Sequence, residues 1–454
     1  MQQVQDFTRG SIAKQLLIFY IPMFLTNMLQ QVYSFVDTAI VGNGLGDHAL
    51  AAVGNMGSLT FLIIGFSTGL ANGFAILVAQ AFGEKDYEKL RRVIASSIEL
   101  VTIISVVLTI GSLFCLEEVL RLLQTDSSIM GESLRYGSII FGGLITAIFY
   151  NMSAFILRAL GDSRTPLTAI IISSVLNVVL DCLFIFGFKT GVEGAAIATV
   201  IAQMVSASIC IRKIWKIEFI RLHKTDFRNG MEIYKALLRN GVPVAFMNSI
   251  TAIGCMVVQY FVNGYGVNYT SAYSVCGRYL NLVMTPAATA GQAVSTFTGQ
   301  NDGAGRYDRI QKGLRVCLGI AACSYVILGG MMLFLSRPLA QIMLTGEEPI
   351  RLVCEYLSVC GIMLVFVDFL FVYRSAVQGM GEPFMPMASG IIEMVFRIVV
   401  IVLFMKKIGF EATAYAEAVA WIGALAINMH AYRKVMKKRL QVEQYVELST
   451  VTEQ

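Results

Sequence analysis

In the stretch LNVVLD, Leu176 to Asp181, an amide and a carboxylate stand four residues apart within a long apolar run. On a helix that spacing puts Asn177 and Asp181 on one face, one turn apart. An ionisable group inside a lipid-spanning run is expensive, and its default reading is functional. Asp37 and Thr199 sit in two other apolar runs. Counted from the nearest ends of their runs at roughly 1.5 Å per residue, Asp37, Asp181 and Thr199 fall at one level, roughly 8–10 Å inside the same boundary. Two carboxylates, an amide and a hydroxyl at matched depth form a hard-oxygen set suited to a proton or a small hard cation such as Na⁺. If the carboxylates meet, they cannot both be ionised without a cation between them. The competing reading is polar glue between neighbouring helices, which serves for Asn177 and Thr199 but explains two aspartates poorly.

The elements that must position these groups follow from composition. Hydrophobic residues make up 56% of the 454 and charged residues only 14%, against roughly 25% charged in soluble domains. A mean hydropathy of +0.67 points the same way, to an all-α polytopic membrane protein. Twelve apolar segments, several of them longer than the roughly 20 residues that a span needs and so expected to tilt or extend beyond the membrane, run over 15–42, 49–80, 93–116, 136–157, 166–187, 193–211, 241–263, 270–299, 315–335, 352–376, 384–405 and 411–431. The polar start, MQQVQDFTRGSIAKQ, lacks a cleavage site and reads as a cytoplasmic tail. With both termini inside, about 26 of the 35 Lys and Arg fall on the cytoplasmic side, as the positive-inside rule requires.

The halves echo each other at an offset of about 220 residues. KQLLIFYIP (14–22) matches KALLRNGVP (235–243), QAFGEKDY (80–87) matches QNDGAGRY (300–307), LGDSRTP (160–166) matches MGEPFMP (380–386), and GVEGAAIAT (191–199) matches GFEATAYAE (409–417). Six spans per copy, an even number, make these parallel repeats about an axis along the membrane normal, an architecture of alternating-access carriers. The expected organisation is an amino-terminal lobe over 1–211, a cytoplasmic connector over 212–240, a carboxy-terminal lobe over 241–440 and a cytoplasmic tail over 441–454.

The remaining intramembrane polar groups divide the two lobes. At the offset, Asn177 corresponds to Arg397, Asp181 to Ile401 and Thr199 to Glu417. Glu393 and Arg397 are spaced i,i+4, and with Glu417 they make an acid–base–acid cluster that can neutralise itself, which favours a structural role over a second ion site. Asp368 is a further candidate for a titrating group, and Arg278 has no evident role. Gln30, Tyr33 and Asp37 share a helix face, and Asn151 and Gln203 could look into the same cavity; packing and interhelical hydrogen bonds are the alternative for each. Pro22 interrupts helix hydrogen bonding and is the expected hinge. The nine cysteines are scattered without a CxxC pair and read as small packing residues. The three histidines, His48, His223 and His430, lie in separate end regions, and HExxH does not occur, so no enzyme active site is expected. The net charge of +5 is topological, and no nucleic-acid partner is expected.

Taken together, PMFLTNMLQQVYSFVDTAIVG (22–42), VAQAFGEKD (78–86), LRALGDSRTP (157–166), LNVVLD (176–181), GAAIATV (194–200) and STFTGQNDGAG (295–305) resemble the multidrug and toxic compound extrusion (MATE) family over about residues 12–435. The resemblance implies a V of two six-helix lobes that exports organic, often cationic, amphipathic compounds in exchange for H⁺ or Na⁺. It implies an amino-terminal-lobe cation site at Asp37, Asn177, Asp181 and Thr199, with Gln30, Tyr33 and Asn151 at cavity-lining positions. Some branches carry a carboxylate on the seventh span; GVPVAFMNSITAIGCMVVQYFV (241–262) has none. The resulting expectation is a secondary antiporter in the bacterial inner or plasma membrane. It would be a monomer among lipids, without a cofactor, serving small organic substrates. The rival is a lipid-linked saccharide flippase of related shape, expected to line its cavity with Arg or Lys for pyrophosphate.

Overall fold

The computed structural model describes residues 4–122, 125–228 and 230–452. Among them there is no strand, and fourteen α-helices carry the chain. The first seven are α1 (Ile12–Leu45), α2 (Asp47–Glu84), α3 (Tyr87–Leu122), α4 (Ser127–Gly142), α5 (Leu144–Ala159), α6 (Arg164–Cys182) and α7 (Val192–Trp215). The others are α8 (Met231–Asn263), α9 (Val267–Gly303), α10 (Tyr307–Phe334), α11 (Ser336–Met343), α12 (Glu347–Gly379), α13 (Phe384–Ile408) and α14 (Glu411–Thr452). Nine of them are long and apolar enough to cross a membrane, and α4 with α5, bent by 44°, makes a tenth. α9 and α14 take the two remaining positions of the twelve expected. Both are long enough, but α9 is diluted by Ser271, Ser274, Arg278 and Asn281.

Two departures from the expected spans have local causes. The fourth span breaks at Gly143, where a Cβ would lie 2.3 Å from Cγ2 of Val200 on α7; the close approach of α7 demands glycine there. The fifth span ends α6 at Cys182 and continues as one π-helical turn, Leu183–Gly187, directly after Asp181. Such a turn adds a residue per hydrogen-bonded ring and is frequent beside functional side chains.

The chain forms two compact units, one of Met1–Asp6 and Ile21–Ala245, the other of Phe7–Tyr20 and Phe246–Gln454. In the first, α2 packs on α4 and α5, α5 on α7, and α6 on α7. The second repeats the scheme: α9 packs on α12, α12 on α14, and α13 on α14. Equivalent helices thus meet in equivalent pairs, as an internal repeat requires. The units exchange the starts of their first spans. Phe7–Tyr20 belongs with the second because Phe7 is fully buried there. Its N–H donates to Gln300 Oε1 at 2.9 Å, and its carbonyl accepts from Arg309 Nη2 at 2.8 Å. The chain passes from one unit to the other at 6/7, before α1, and within helices at 20/21 and 245/246, the last two within a few residues of Pro22 and Pro243.

In the first unit the start of α8 lies against α2 with almost no side chain between them. A Cβ on Gly73 would come within 2.4 Å of Gly241 Cα. Because this is backbone, nothing can swing aside. Gly73→Val is therefore expected to destabilise the fold by about 1–3 kcal/mol or more, read as a lower melting temperature of the detergent-extracted protein.

Candidate cation site

α6 delivers Asn177 and Asp181 to the interior of the first unit, and both side chains are fully buried. The carboxamide of Asn177 is oriented so that its nitrogen donates to Asp181 Oδ2 at 2.7 Å while its oxygen accepts from the Thr199 backbone N–H at 3.2 Å. The i,i+4 pair read in the sequence is therefore a real contact, and it ties α6 to α7. From α1, Asp37 brings its carboxyl within hydrogen-bonding reach of the Asp181 carboxyl. One turn earlier, the Tyr33 hydroxyl reaches the Thr199 side chain. All four residues expected to hold a cation are thus in one cluster, with Tyr33 at its edge.

One carboxyl oxygen of each aspartate, Oδ1 of Asp37 and Oδ1 of Asp181, is buried without a hydrogen-bond partner. Among the described residues no Lys, Arg or His lies within ion-pair distance of either. Buried acceptors of this kind cost free energy unless something positive or a donor reaches them. The site so built is acceptor-rich and short of cations. It suits one proton shared by the two carboxyls, or one Na⁺ held by both of them with Asn177 and Thr199. Among the described residues no group of three or more His, Cys, Asp or Glu side chains is placed to hold a metal ion.

One member of the cluster was not read from the sequence. Tyr136 on α4 lies within electrostatic reach of Asp37, Tyr33 and Asp181 and is only 9% exposed. A tyrosine in a membrane helix is common, and Tyr136 stands at the very start of the apolar run 136–157, so neither residue type nor depth picks it out. The other cavity candidates do not converge so closely. Gln30 is exposed on α1 two turns before Asp37, Asn151 is half-buried on α5, and Gln203 on α7 accepts from Thr146 Oγ1 at 3.4 Å. Pro22 lies within a continuous α1, where Thr26 Oγ1 donates to its carbonyl at 2.8 Å.

The second unit is built differently. Arg397 donates from Nε to Glu417 Oε2 at 3.0 Å, its Nη2 pairs with the same oxygen at 2.9 Å, and it lies 3.6 Å from Glu393 Oε2. The expected triad is a quartet: Arg374 of α12 pairs with Glu393 and donates to Ser389 Oγ at 3.3 Å. The sequence shows two acids and one base, and Arg374 brings the cluster to two of each. Asp368, on the same helix, is fully buried with neither oxygen hydrogen-bonded.

The family model MatE matches this chain twice, over residues 22–183 and 243–403. The chain belongs to the MATE family. The two matches are offset by 220–221 residues, so the repeat is one of whole family units. MATE relatives include "Probable multidrug resistance protein YoeA" of Bacillus subtilis (strain 168), 33% identical over 368 residues that cover 78% of each chain. "Probable multidrug resistance protein NorM" of Thermotoga maritima is 24% identical over 382 residues, 83% of this chain and 82% of that one. A crystal structure of MATE in the bent conformation shares the fold with a TM-score of 0.91, at 22% identity, over 97% of this chain and 99% of that one. The protein is accordingly a multi-pass, twelve-span membrane protein of MATE architecture.

Proposed function

We propose that this MATE protein is a secondary antiporter that exports organic, often cationic, amphipathic compounds in exchange for inward H⁺ or Na⁺. One observation carries the reading. Asp37 and Asp181 meet in the interior of the first unit, each with a buried oxygen that no protein group satisfies. Such a pair takes up a small cation from one face and gives it up to the other only if its surroundings change, which is what alternating access supplies. Asn177 orients Asp181, and Tyr33, Tyr136 and Thr199 complete the polar shell. Gln30, Asn151 and Gln203 line the path of the organic substrate. Pro22 and Pro243, close to where the chain passes between units, absorb the bending. The lobes are 1–211 and 241–440, joined by 212–240, with both termini in the cytoplasm of a bacterial cell and one chain as the working unit. The names of the relatives, which speak of multidrug resistance, support the substrate class. Two of the buried arginines, Arg374 and Arg397, are engaged by carboxylates and so are not offered to a pyrophosphate, as a flippase of related fold would need.

The test is uptake of a cationic amphipathic dye into everted membrane vesicles with pH and sodium gradients imposed separately. Uptake that follows one gradient and collapses when it is dissipated is the expected result. Dye uptake indifferent to both gradients overturns the antiport reading.

A further inference from the structure

Arg158 stands on the last turn of α5, one residue before the helix ends at Ala159. It is only 8% exposed. Among the described residues it forms no ion pair, and its Nε is buried without a hydrogen-bond partner. The obvious counter-ion is Asp162, four residues on, but that buried carboxylate is engaged by the start of α6. Its Oδ1 accepts the backbone N–H groups of Arg164 and Thr165 at 3.1 and 3.0 Å, and its Oδ2 accepts the Thr165 hydroxyl at 2.6 Å. The last carbonyls of α5 are taken too: those of Ile156, Leu157 and Arg158 accept from the N–H groups of Leu160, Asp162 and Gly161. The groups around Arg158 are neutral. Phe155 lies under it, with the ring centroid 5.4 Å from Cζ, and Tyr150 of the same helix and Cys210 of α7 are within electrostatic reach. The Tyr150 hydroxyl is itself buried without a partner.

Unsatisfied donors thus gather here, the converse of the unsatisfied acceptors at Asp37 and Asp181. A buried guanidinium without a carboxylate is costly. The face of Phe155 and the negative end of the helix dipole each offset a fraction of that cost, and neither takes up an N–H group. Water satisfies the donors but leaves the charge, whereas a small anion satisfies both. In the second unit the buried Arg374 and Arg397 are matched by Glu393 and Glu417. At the repeat offset Arg158 corresponds to Gln378 and Tyr150 to Leu370, so the second unit has no charge to balance at that place. We propose that Arg158, together with the Tyr150 hydroxyl, binds a small inorganic monoanion, chloride, inside the first unit. One guanidinium balances one negative charge, and Phe155 and Cys210 offer a sulfate or phosphate dianion no second cation. The site lies at the end of the span, just before the turn into α6, where ions from the water reach it. With its charge balanced, Arg158 lets α5 stay docked on α2 and α7.

The experiment uses the full-length protein in detergent, with sodium and ionic strength held fixed while gluconate is replaced by chloride. The melting temperature is expected to rise by a saturable increment of roughly 1–4 °C. Arg158→Gln introduces the residue type that the second unit carries in register, and it should abolish the increment. Tyr150→Phe keeps the guanidinium and the ring packing. It should raise the half-saturating chloride concentration roughly tenfold, the worth of one hydrogen bond to a charged group, and it decides the matter if Arg158→Gln fails to fold. Three results each overturn the site: a melting temperature of the unaltered protein indifferent to chloride, the same increment persisting in Arg158→Gln, or an unchanged half-saturating concentration in Tyr150→Phe.

Discussion

Asp37→Asn and Asp181→Asn are each expected to reduce gradient-driven export by roughly 100-fold or more, with the protein still folded. The argument is local. Asn is isosteric with Asp, so the volume at the meeting of the two side chains is kept. What is lost is the ability to hold a proton or cation whose release depends on which face the site sees. In Asp181→Asn the new amide can still accept from Asn177, whose nitrogen now donates to Asp181 Oδ2 at 2.7 Å. Neither substitution buries a new unpaired charge, and each removes one of two like groups in contact, so thermal stability should hold or rise slightly. Two measurements are needed on the same preparation: dye uptake driven by the coupling gradient, and the melting temperature in detergent. A pair of variants that fold and still export at the unaltered rate would remove these aspartates from the coupling step.

How far the sequence carried the reading depends on which physical signal each feature leaves. Helices long enough to span, and the polar exceptions within them, are written in composition and run length, so Asp37, Asn177, Asp181 and Thr199 were legible from depth alone. The structure brings all four together. The repeat was legible because equivalent turns need equivalent residues. Gly161 and Gly381 both take positive φ, at 83° and 74°, just past the ends of α5 and α12, a conformation that glycine adopts without strain. Other features leave no such mark. The break between α4 and α5 at Gly143 arises from Val200 on a helix distant in sequence, and the π-helical turn after Asp181 has no composition of its own. Tyr136 and Arg374 were passed over for opposite reasons. A tyrosine is ordinary in a membrane helix, and an arginine near the inner end of a span reads as topology. Only their neighbours distinguish them, and neighbours are set by tertiary packing.

Arg397→Ala should give the largest loss of stability of any single substitution in the second unit, about 3–5 kcal/mol, with ion dependence unchanged. Arg397 is 4% exposed and contacts both Glu393 and Glu417, which are 3% and 5% exposed. Removing it leaves Glu417 without a cation and Glu393 with Arg374 alone, so one carboxylate remains buried and uncompensated. The protein then protonates that acid or opens the helix pair α13–α14 to water, and either costs free energy. Net charge distinguishes the structural account from a second coupling site. The quartet of Arg374, Glu393, Arg397 and Glu417 sums to zero, so it has no standing demand for a further cation, unlike the pair Asp37 and Asp181. Neutralising both sides at once, as in Arg397→Met with Glu417→Leu, should therefore recover much of the lost stability, because no charge is then left unmatched. If Arg397→Ala instead leaves the melting temperature in place and shifts the pH or sodium dependence of export, the quartet belongs to the coupling machinery. Ion movement would then have to be traced through both units rather than one.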